Sequence, residues 1–317
     1  MTDRSAAIQP GESFVPRLSP AVKAADDASI AAQTSMLRAT RLELGFVIMA
    51  AAGGTIASLW PAGPGAMLSV VGFLGAVMAS GYVARTRPER DWYDGRAAAE
   101  SCKTLAWRYA VGGRPFGLTG AHARQTDEAL VTSLQEVLSA LPFAATEEGV
   151  GPQITDEMRT LRAAPLADRR RAYERGRIAD QQDWYAGKAR FNDRRARAWR
   201  QVVMALELAG LAAGIATIGG FLSFDLLGVI AAAAAGATAW LQLRQHEALA
   251  RAYSIATGEL SSIRSLIAYQ LTEESWADFI DQAEEAISRE HTLWRASRGV
   301  MTTVGLPAPA RGSHPEP

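Results

Sequence analysis

A charge-free run of 41 residues, from Leu44 to Ala84, is the feature that most constrains how this chain can fold. Pro61–Gly65 divides the run into two apolar segments. A second apolar stretch, from Gln201 to Leu243, is interrupted only by Glu207 and Asp225. Soluble helices of this length carry a charged face, so two apolar helices joined by a tight turn predict a hairpin that crosses a bilayer and returns. The chain is therefore predicted to carry two transmembrane hairpins, with four transmembrane helices.

The four segments are short for a bilayer. Leu44–Trp60 and Leu208–Phe224 have 17 residues each, Leu226–Leu243 has 18 and Ala66–Ala84 has 19. Seventeen helical residues reach only ~26 Å, against ~30 Å of hydrocarbon. Mild mismatch costs little, and two segments with a minimal turn can insert together. The alternative, two buried hairpins inside a soluble helical protein, would require charged helix faces that these segments lack.

Basic residues flank both hairpins on one side only. The two turns carry no lysine or arginine, whereas the other ends carry Arg38, Arg41, Arg85, Arg87, Arg90, Lys188, Arg190, Arg194, Arg195, Arg197, Arg200, Arg244 and Arg251. The positive-inside rule then places both termini and the central segment in the cytoplasm. Aromatic residues occupy both predicted interfaces: Trp60, Phe221 and Phe224 at the outer one, Tyr82, Trp199 and Trp240 at the inner one.

Everything outside the hairpins reads as helix, so the fold class is an all-α polytopic membrane protein with long cytoplasmic helices. We expect one continuous helix from Leu166 to Trp199, another over Gln242–Leu271, and a last one over Glu273–Arg298 capped by Thr272. We divide the chain into a disordered arm (1–29), two units that each contain a hairpin (30–160 and 161–299) and a disordered tail (300–317).

No enzyme chemistry is visible. The 33 basic and 33 acidic residues cancel, which gives no reason to expect nucleic acid as a partner. Cys102 is the only cysteine and the four histidines are scattered, so we expect no metal site, and no phosphate-binding or nucleophile motif predicts a cofactor or a reaction. An acidic stretch of Glu284, Glu285 and Glu290 is read as a solvated helix face, or as a surface that docks against the basic Arg169–Arg200 helix.

Two groups of residues resemble a known family. Residues 85–116, with Trp92, Glu100, Lys103 and Trp107, resemble the helix that follows the hairpin in SLATT domains, the SMODS and SLOG-associating two-transmembrane effector domains. The second half resembles another subtype of the same family, through Trp184, Tyr185, Trp276, Glu290 and Trp294. The likeness covers roughly residues 30–299 and indicates two tandem copies.

The resemblance implies an effector in the inner membrane of a bacterium. SLATT domains are proposed to open a pore when a nucleotide second messenger signals infection, so that the cell loses its membrane potential. No fused synthase or sensor is visible here. The signal would therefore come from a separate nucleotide-second-messenger synthase or sensor protein, or would bind the helical cytoplasmic part of this chain. Membrane lipid is the other expected partner.

A channel needs polar groups at membrane depth, and helices this few must form a homo-oligomer to enclose one. The candidate pore-lining residues are Thr55, Ser58, Ser69, Ser80, Glu207 and Thr217. The candidate packing residues are Gly72, Gly210, Gly214, Gly228, Ala232 and Gly236. Two alternatives stay open, because small residues also let membrane helices approach and hydroxyls can bond back to their own helix.

Glu207 is the most informative single residue of the apolar segments. A carboxylate inside a membrane is costly and by default faces a cavity or a partner. It lies only about two turns past Arg200, so it could instead snorkel to the interface or pair with that arginine. The sequence thus favours a regulated pore-forming effector, with a non-conducting membrane scaffold as the alternative. A transporter would need broken helices and buried charges, which are missing.

Overall fold

The computed structural model describes residues 18–60, 63–119, 122–139, 151–222 and 224–297, with no description of the side chains of 289–297. Every regular element in these residues is helical, which confirms the all-α prediction. The α-helices are α1 (Pro20–Leu59), α2 (Pro64–Thr86), α3 (Pro88–Val111), α4 (Ala123–Ser139), α5 (Asp156–Ala163), α6 (Leu166–Tyr173), α7 (Asp180–Ile218), α8 (Leu226–Arg244), α9 (His246–Leu266) and α10 (Glu273–Ser297).

Four of these helices, α1, α2, α7 and α8, are long and apolar enough to cross a membrane. They are paired in the chain as α1–α2 and α7–α8, each pair joined by a short connection. The prediction of a polytopic membrane protein with two transmembrane hairpins is therefore confirmed. Below, α1–α2 is the first hairpin and α7–α8 the second.

Helix α1 begins ten residues earlier than expected. Residues 20–29, which the sequence analysis assigned to a disordered arm, form its first turns, and Ala21, Ala24 and Ala25 are buried there. Pro20 suits the start of a helix, since its fixed φ angle is already helical and its missing N–H has no intrahelical partner to lose. The rest of the predicted arm (1–17), the predicted tail (300–317) and part of the first turn (61–62) lie outside the described residues.

Both hairpins are followed by the same kind of break. Helix α2 ends at Arg87 in the left-handed region (φ 44°), and α8 ends at Gln245 in the same region (φ 45°). Pro88 explains the first break, since a proline disfavours the helical conformation of the residue before it. Nothing comparable follows Gln245, and the prediction of an uninterrupted helix over Gln242–Leu271 was wrong there. The expected helix through Leu166–Trp199 contains a π-helical turn at Glu174–Ala179.

The chain packs as two compact units, and each draws on both halves of the sequence. The first unit takes its described residues from 18–29, 90–173 and 270–297, and we name it the polar helical unit. The second combines 30–89 with 174–269, contains both hairpins, and is named the membrane unit. These compact units are not the two successive units (30–160 and 161–299) of the sequence analysis, and that division stays a prediction.

The polar helical unit is built around three aromatic rings. Tyr173 packs edge-on against Trp107 and Trp276, with ring centroids 5.9 and 5.8 Å apart. Beside them the buried Arg169 guanidinium donates to the carbonyls of Val111 (2.7 Å) and Ala164 (3.0 Å), the last residue of α3 and the residue after α5. Arg169 thus satisfies carbonyls that have no partner within their own helices.

Glu284 belongs to this core, so the prediction of a solvated face was wrong for this residue. Its contact with Tyr173 fits the alternative, docking against the Arg169–Arg200 stretch. Its side chain is fully buried and accepts hydrogen bonds from Thr104 (2.8 Å) and from the Tyr173 hydroxyl (2.9 Å). Ile280 and Trp276 lie one and two turns before it on the same buried face of α10. Glu285 is exposed, as a solvated face would require, and the Glu290 side chain lies outside the described residues.

Candidate functional site

The helices of the first hairpin touch through their backbones. A Cβ atom added to Gly72 would lie 2.7 Å from the Ala50 nitrogen, and one added to Gly53 would lie 2.5 Å from the Ser69 nitrogen. Gly65 meets the backbone of Ala57 in the same way. Small residues permit this approach, which gives membrane helices their van der Waals contact.

Gly72 was predicted to pack, whereas Gly53 and Gly65 were missed. The four-residue spacing of Gly53 and Ala57 was the signal that could have identified this contact.

The hydroxyls of this hairpin are all hydrogen-bonded within the chain. Ser69 donates to the Ala50 carbonyl (2.9 Å), across the hairpin, and Ser58 donates to the carbonyl of its own helix neighbour Thr55 (2.7 Å). The Thr55 hydroxyl donates to the Asp225 carbonyl (2.7 Å), in the turn of the second hairpin. The Ser69 bond joins two helices and the Thr55 bond joins the two hairpins, whereas the Ser58 bond stays within α1.

Ser80 brings in a carboxylate that the sequence analysis did not select. Its hydroxyl donates to Glu43 Oε1 at 2.7 Å, across the first hairpin. Glu43 lies one residue before the charge-free run and was therefore treated only as its boundary. The first hairpin thus contains a carboxylate with a hydroxyl partner.

The second hairpin is more open. A Cβ atom on Gly210 would meet Ile230 at an ordinary 3.4 Å, one on Gly236 would meet Ile48 at 3.8 Å, and one on Gly214 would meet nothing within 4 Å. Gly228 lies against Asp225, whose carboxylate accepts from the Gly228 N–H (3.0 Å) and caps α8. Ala232 is half-buried. Gly210 and Gly214 therefore do not bring α7 and α8 into backbone contact within one chain.

Glu207 lies on an exposed face of α7. Its neighbours on this side are apolar and 61% to 90% exposed: Met204, Leu208, Leu211, Ile215 and Ile218. At 100° per residue, Gly214 and Ile218 project within about 20° of Glu207. The carboxylate forms no hydrogen bond or ion pair with any residue that the structure describes, Arg200 included. It lies about 10 Å along the helix from Arg200 and about 16 Å from Ile218.

Thr217, the last of the predicted pore-lining residues, is also exposed on α7. Its hydroxyl donates to the Ala213 carbonyl one turn earlier, at 2.9 Å. This bond stays within α7, so it adds no contact to the face around Gly214. Glu207 is therefore the only one of the six predicted pore-lining side chains that the described part of the chain leaves without a polar partner.

The residues that suggested a family are mostly packing residues of the polar helical unit. Trp107 and Trp276 are buried in its core, and Trp92 stacks on Tyr93 with ring centroids 4.8 Å apart. Glu100 is buried and lies between Arg96 (3.3 Å) and Lys103 (3.6 Å) on α3. The Trp294 side chain, like that of Glu290, lies outside the described residues.

In the membrane unit, Trp184 and Tyr185 belong to an aromatic cluster between α7 and α9. Both rings pack on Tyr253, with centroids 5.6 and 5.7 Å away. Further along α7, Trp199 meets Trp240 of α8 at 6.2 Å. Arg41 and Arg244 lie over the Trp240 ring, at 5.2 and 5.9 Å. Tryptophan and arginine at the same end of the apolar helices mark a membrane interface.

Two family models match the chain. The model of the SMODS and SLOG-associating 2TM effector domain 3 matches residues 20–170. The model of the SMODS and SLOG-associating 2TM effector domain 1 matches residues 173–294. Together the matches run from the start of α1 into α10. No curated protein and no solved structure matches the chain.

Proposed function

Because the chain belongs to the SLATT family and carries two tandem domains of different subtype, we propose that it is a pore-forming membrane effector. SLATT domains are two-transmembrane effector domains associated with conflict systems. In our proposal the protein serves a bacterial, nucleotide-signalled antiphage defence system and depolarises the membrane when triggered. It conducts as a homo-oligomer, because four short helices in one chain are too few to surround a water-filled path.

The exposure of Glu207 carries this proposal. In a single chain its carboxylate would face lipid about 10 Å along the helix from Arg200, where an ionised group costs several kcal/mol. Assembly removes that cost if the carboxylate faces a hydrated path instead of lipid. A ring of Glu207 carboxylates around such a path would attract cations and repel anions.

The open space at Gly214 supports assembly through the same helix. Gly214 lies on the Glu207 side of α7, where one chain leaves room for the backbone of another. In membranes such close approach at glycine is a recurrent mode of helix association. A second copy packed there would bring two α7 helices, and their Glu207 residues, side by side.

The proposal extends to location and partners. In our proposal both hairpins lie in a bacterial inner membrane with both termini in the cytoplasm, where a nucleotide signal would be made. The basic residues at one end of both hairpins support this orientation. That signal would come from a separate synthase or sensor protein. We propose no catalytic activity and no nucleic-acid partner for this chain.

The test is the membrane potential of cells that express the full chain with its neighbouring signalling genes, read with a voltage-sensitive dye. We expect depolarisation by the native chain and its loss in Gly214→Leu. Gly187→Leu is the matched control, because Gly187 also has nothing within 4 Å but lies on α7 before the apolar segment. Equal depolarisation by Gly214→Leu and the control would contradict assembly through this face.

One observation favours the second candidate function, a non-conducting membrane scaffold. The five predicted pore-lining hydroxyls are all hydrogen-bonded within the chain, which leaves few polar groups to line a path. A scaffold would leave the membrane potential unchanged even when the protein is inserted and the signalling genes are present. That result would replace the pore proposal with the scaffold.

A further inference from the structure

An open cleft lies in the membrane unit at the break between α8 and α9. Its volume is about 270 Å³, and its walls come from α7 on one side and from the residues around Gln245 on the other. The lining includes Arg200, Arg251, Glu247 and His246, together with apolar surface from Leu241. The cleft lies where α8 ends and α9 begins, at Gln245 in the left-handed conformation.

The charged side chains that line the cleft leave one positive charge in excess, and Arg195 and Arg244 lie near His246 and add positive potential beside it. Glu247 pairs with Arg251 at 2.8 Å and lies 3.6 Å from Arg200, so one carboxylate faces two guanidinium groups. Both arginine side chains are more than half exposed and can turn towards a ligand. A single negative charge would complete the balance, and arginine binds phosphate oxygens through two parallel hydrogen bonds.

His246 is a buried acceptor in the wall of the cleft. The Asn192 amide nitrogen donates to the Lys188 carbonyl (2.8 Å), which makes the Asn192 Oδ1 the acceptor. His246 Nδ1, 2.7 Å from that oxygen, must therefore be the protonated nitrogen, and in the neutral ring Nε2 is left as an acceptor. Nε2 has no hydrogen-bond partner among the described residues, so a hydroxyl on a ligand could donate to it.

The position of the cleft identifies the source of such a ligand. Trp199 directly precedes Arg200 and Trp240 directly precedes Leu241, so the cleft adjoins the tryptophan pair that marks the membrane interface. Lipid headgroups occupy this level, and basic pockets between membrane helices at this level bind anionic headgroups. The apolar surface of Leu241 suits the start of an acyl chain.

We propose that this cleft binds the headgroup of an anionic phospholipid, with its phosphodiester between Arg200 and Arg251. A phosphodiester carries one negative charge, which matches the single excess positive charge of the side chains that line the cleft. A free phosphate monoester carries close to two at neutral pH. A glycerol headgroup would supply the hydroxyl that His246 Nε2 can accept, so phosphatidylglycerol is the probe of choice. The proposal is independent of whether the protein conducts.

The experiment measures how phosphatidylglycerol shifts the thermal unfolding of the full chain in detergent, with phosphatidylcholine and inorganic phosphate as comparison ligands. We expect stabilisation by phosphatidylglycerol and little by the other two. Arg200→Gln/Arg251→Gln should weaken the apparent affinity about tenfold or more. Arg190→Gln/Arg197→Gln removes the same charge from exposed positions on α7 outside the cleft, and should leave the affinity unchanged.

Glu247→Gln sharpens the test, because it removes no donor and raises the excess charge of the cleft. Binding of phosphatidylglycerol should become tighter in this variant. Equal weakening in the two arginine double variants would overturn the proposal in favour of diffuse surface charge. Equal stabilisation by inorganic phosphate would overturn it in favour of a soluble anion. Both outcomes are measured as thermal unfolding, so they do not depend on whether the protein forms a pore.

Discussion

In the first hairpin α1 and α2 approach so closely that a Cβ atom on Gly72 would collide with the backbone of Ala50, whereas in the second hairpin Gly214 faces open space. The carboxylate of each hairpin shows the same contrast between contact and exposure. Glu43 of the first hairpin accepts a hydrogen bond from Ser80, while Glu207 of the second is exposed and has no partner among the described residues. Both hairpins consist of two apolar helices joined by a short turn, but only the first is closely packed within the chain.

This contrast suggests a division of labour inside a tandem protein. The first hairpin uses Gly53, Gly65 and Gly72 and its hydroxyls internally, and membrane helices associate through those same groups. Gly45, Gly54 and Gly81 also face open space, but Glu43, the carboxylate of this hairpin, already accepts a hydrogen bond from Ser80. The second hairpin keeps a glycine and a carboxylate unused on one face of α7. Under the proposed function, the first hairpin stabilises the membrane unit and the second mediates assembly.

The largest expected effect is on the free energy of unfolding, which a glycine-to-leucine change should lower in the first hairpin but not in the second. Gly72→Leu inserts a side chain where the Cβ alone would lie 2.7 Å from the Ala50 nitrogen, so we expect the free energy of unfolding to fall by about 3 kcal/mol or more. Gly214→Leu makes the same change in open space and should alter it by less than about 0.5 kcal/mol. Thermal unfolding in detergent micelles measures both. A similar loss in the two variants would mean that the hairpins are equally packed.

The second prediction concerns ion selectivity and rests on the proposed pore. Glu207→Gln should bring the cation-to-anion permeability ratio of a conducting preparation close to one, because the ring of negative charge is removed. Glu43→Gln is the matched control, since a glutamine oxygen can still accept from Ser80. Planar-bilayer recordings in a salt gradient give the ratio. If Glu207→Gln keeps its cation preference, Glu207 does not line the path.

The third prediction tests which hairpin meets another copy. Gly214→Cys should form a disulfide-linked dimer in membranes treated with an oxidant, because Gly214 faces open space within one chain. Ala76→Cys in the first hairpin should not, since Ala76 is buried against its own chain. The native Cys102 will not interfere, because it is fully buried and burial raises the pKa of its thiol to about 12. Non-reducing gels separate the outcomes, and a dimer from Ala76→Cys alone would reverse the assignment.

The sequence predicted the features that depend on neighbouring residues and missed those that depend on contacts between distant ones. Hydropathy revealed both hairpins because an apolar run is a property of neighbouring residues. The contacts of Gly53 and Gly65 were missed, since they depend on how two helices rotate against each other. The burial of Glu284 was missed for the same reason, because its partners Thr104 and Tyr173 are more than a hundred residues away. The break at Gln245 could not be predicted, because no proline or glycine lies beside it.

The smallest effect separates two hydroxyls that look equivalent in sequence. Ser69→Ala removes a bond between two helices, to the Ala50 carbonyl, and should cost about 0.6 kcal/mol of unfolding free energy. Thr217→Val removes a bond within one helix, to Ala213, whose carbonyl keeps its place in the helix ladder, so we expect almost no change.

Chemical unfolding in mixed micelles resolves this difference if each variant is measured against the native chain in the same preparation. A loss in Thr217→Val that equals the loss in Ser69→Ala would show that the exposed face of α7 is already packed in the solubilised protein. In that case a second copy, and not lipid or detergent, covers Thr217. The first hairpin would then be packed by contacts inside one chain, and the second by contacts between chains of the oligomer.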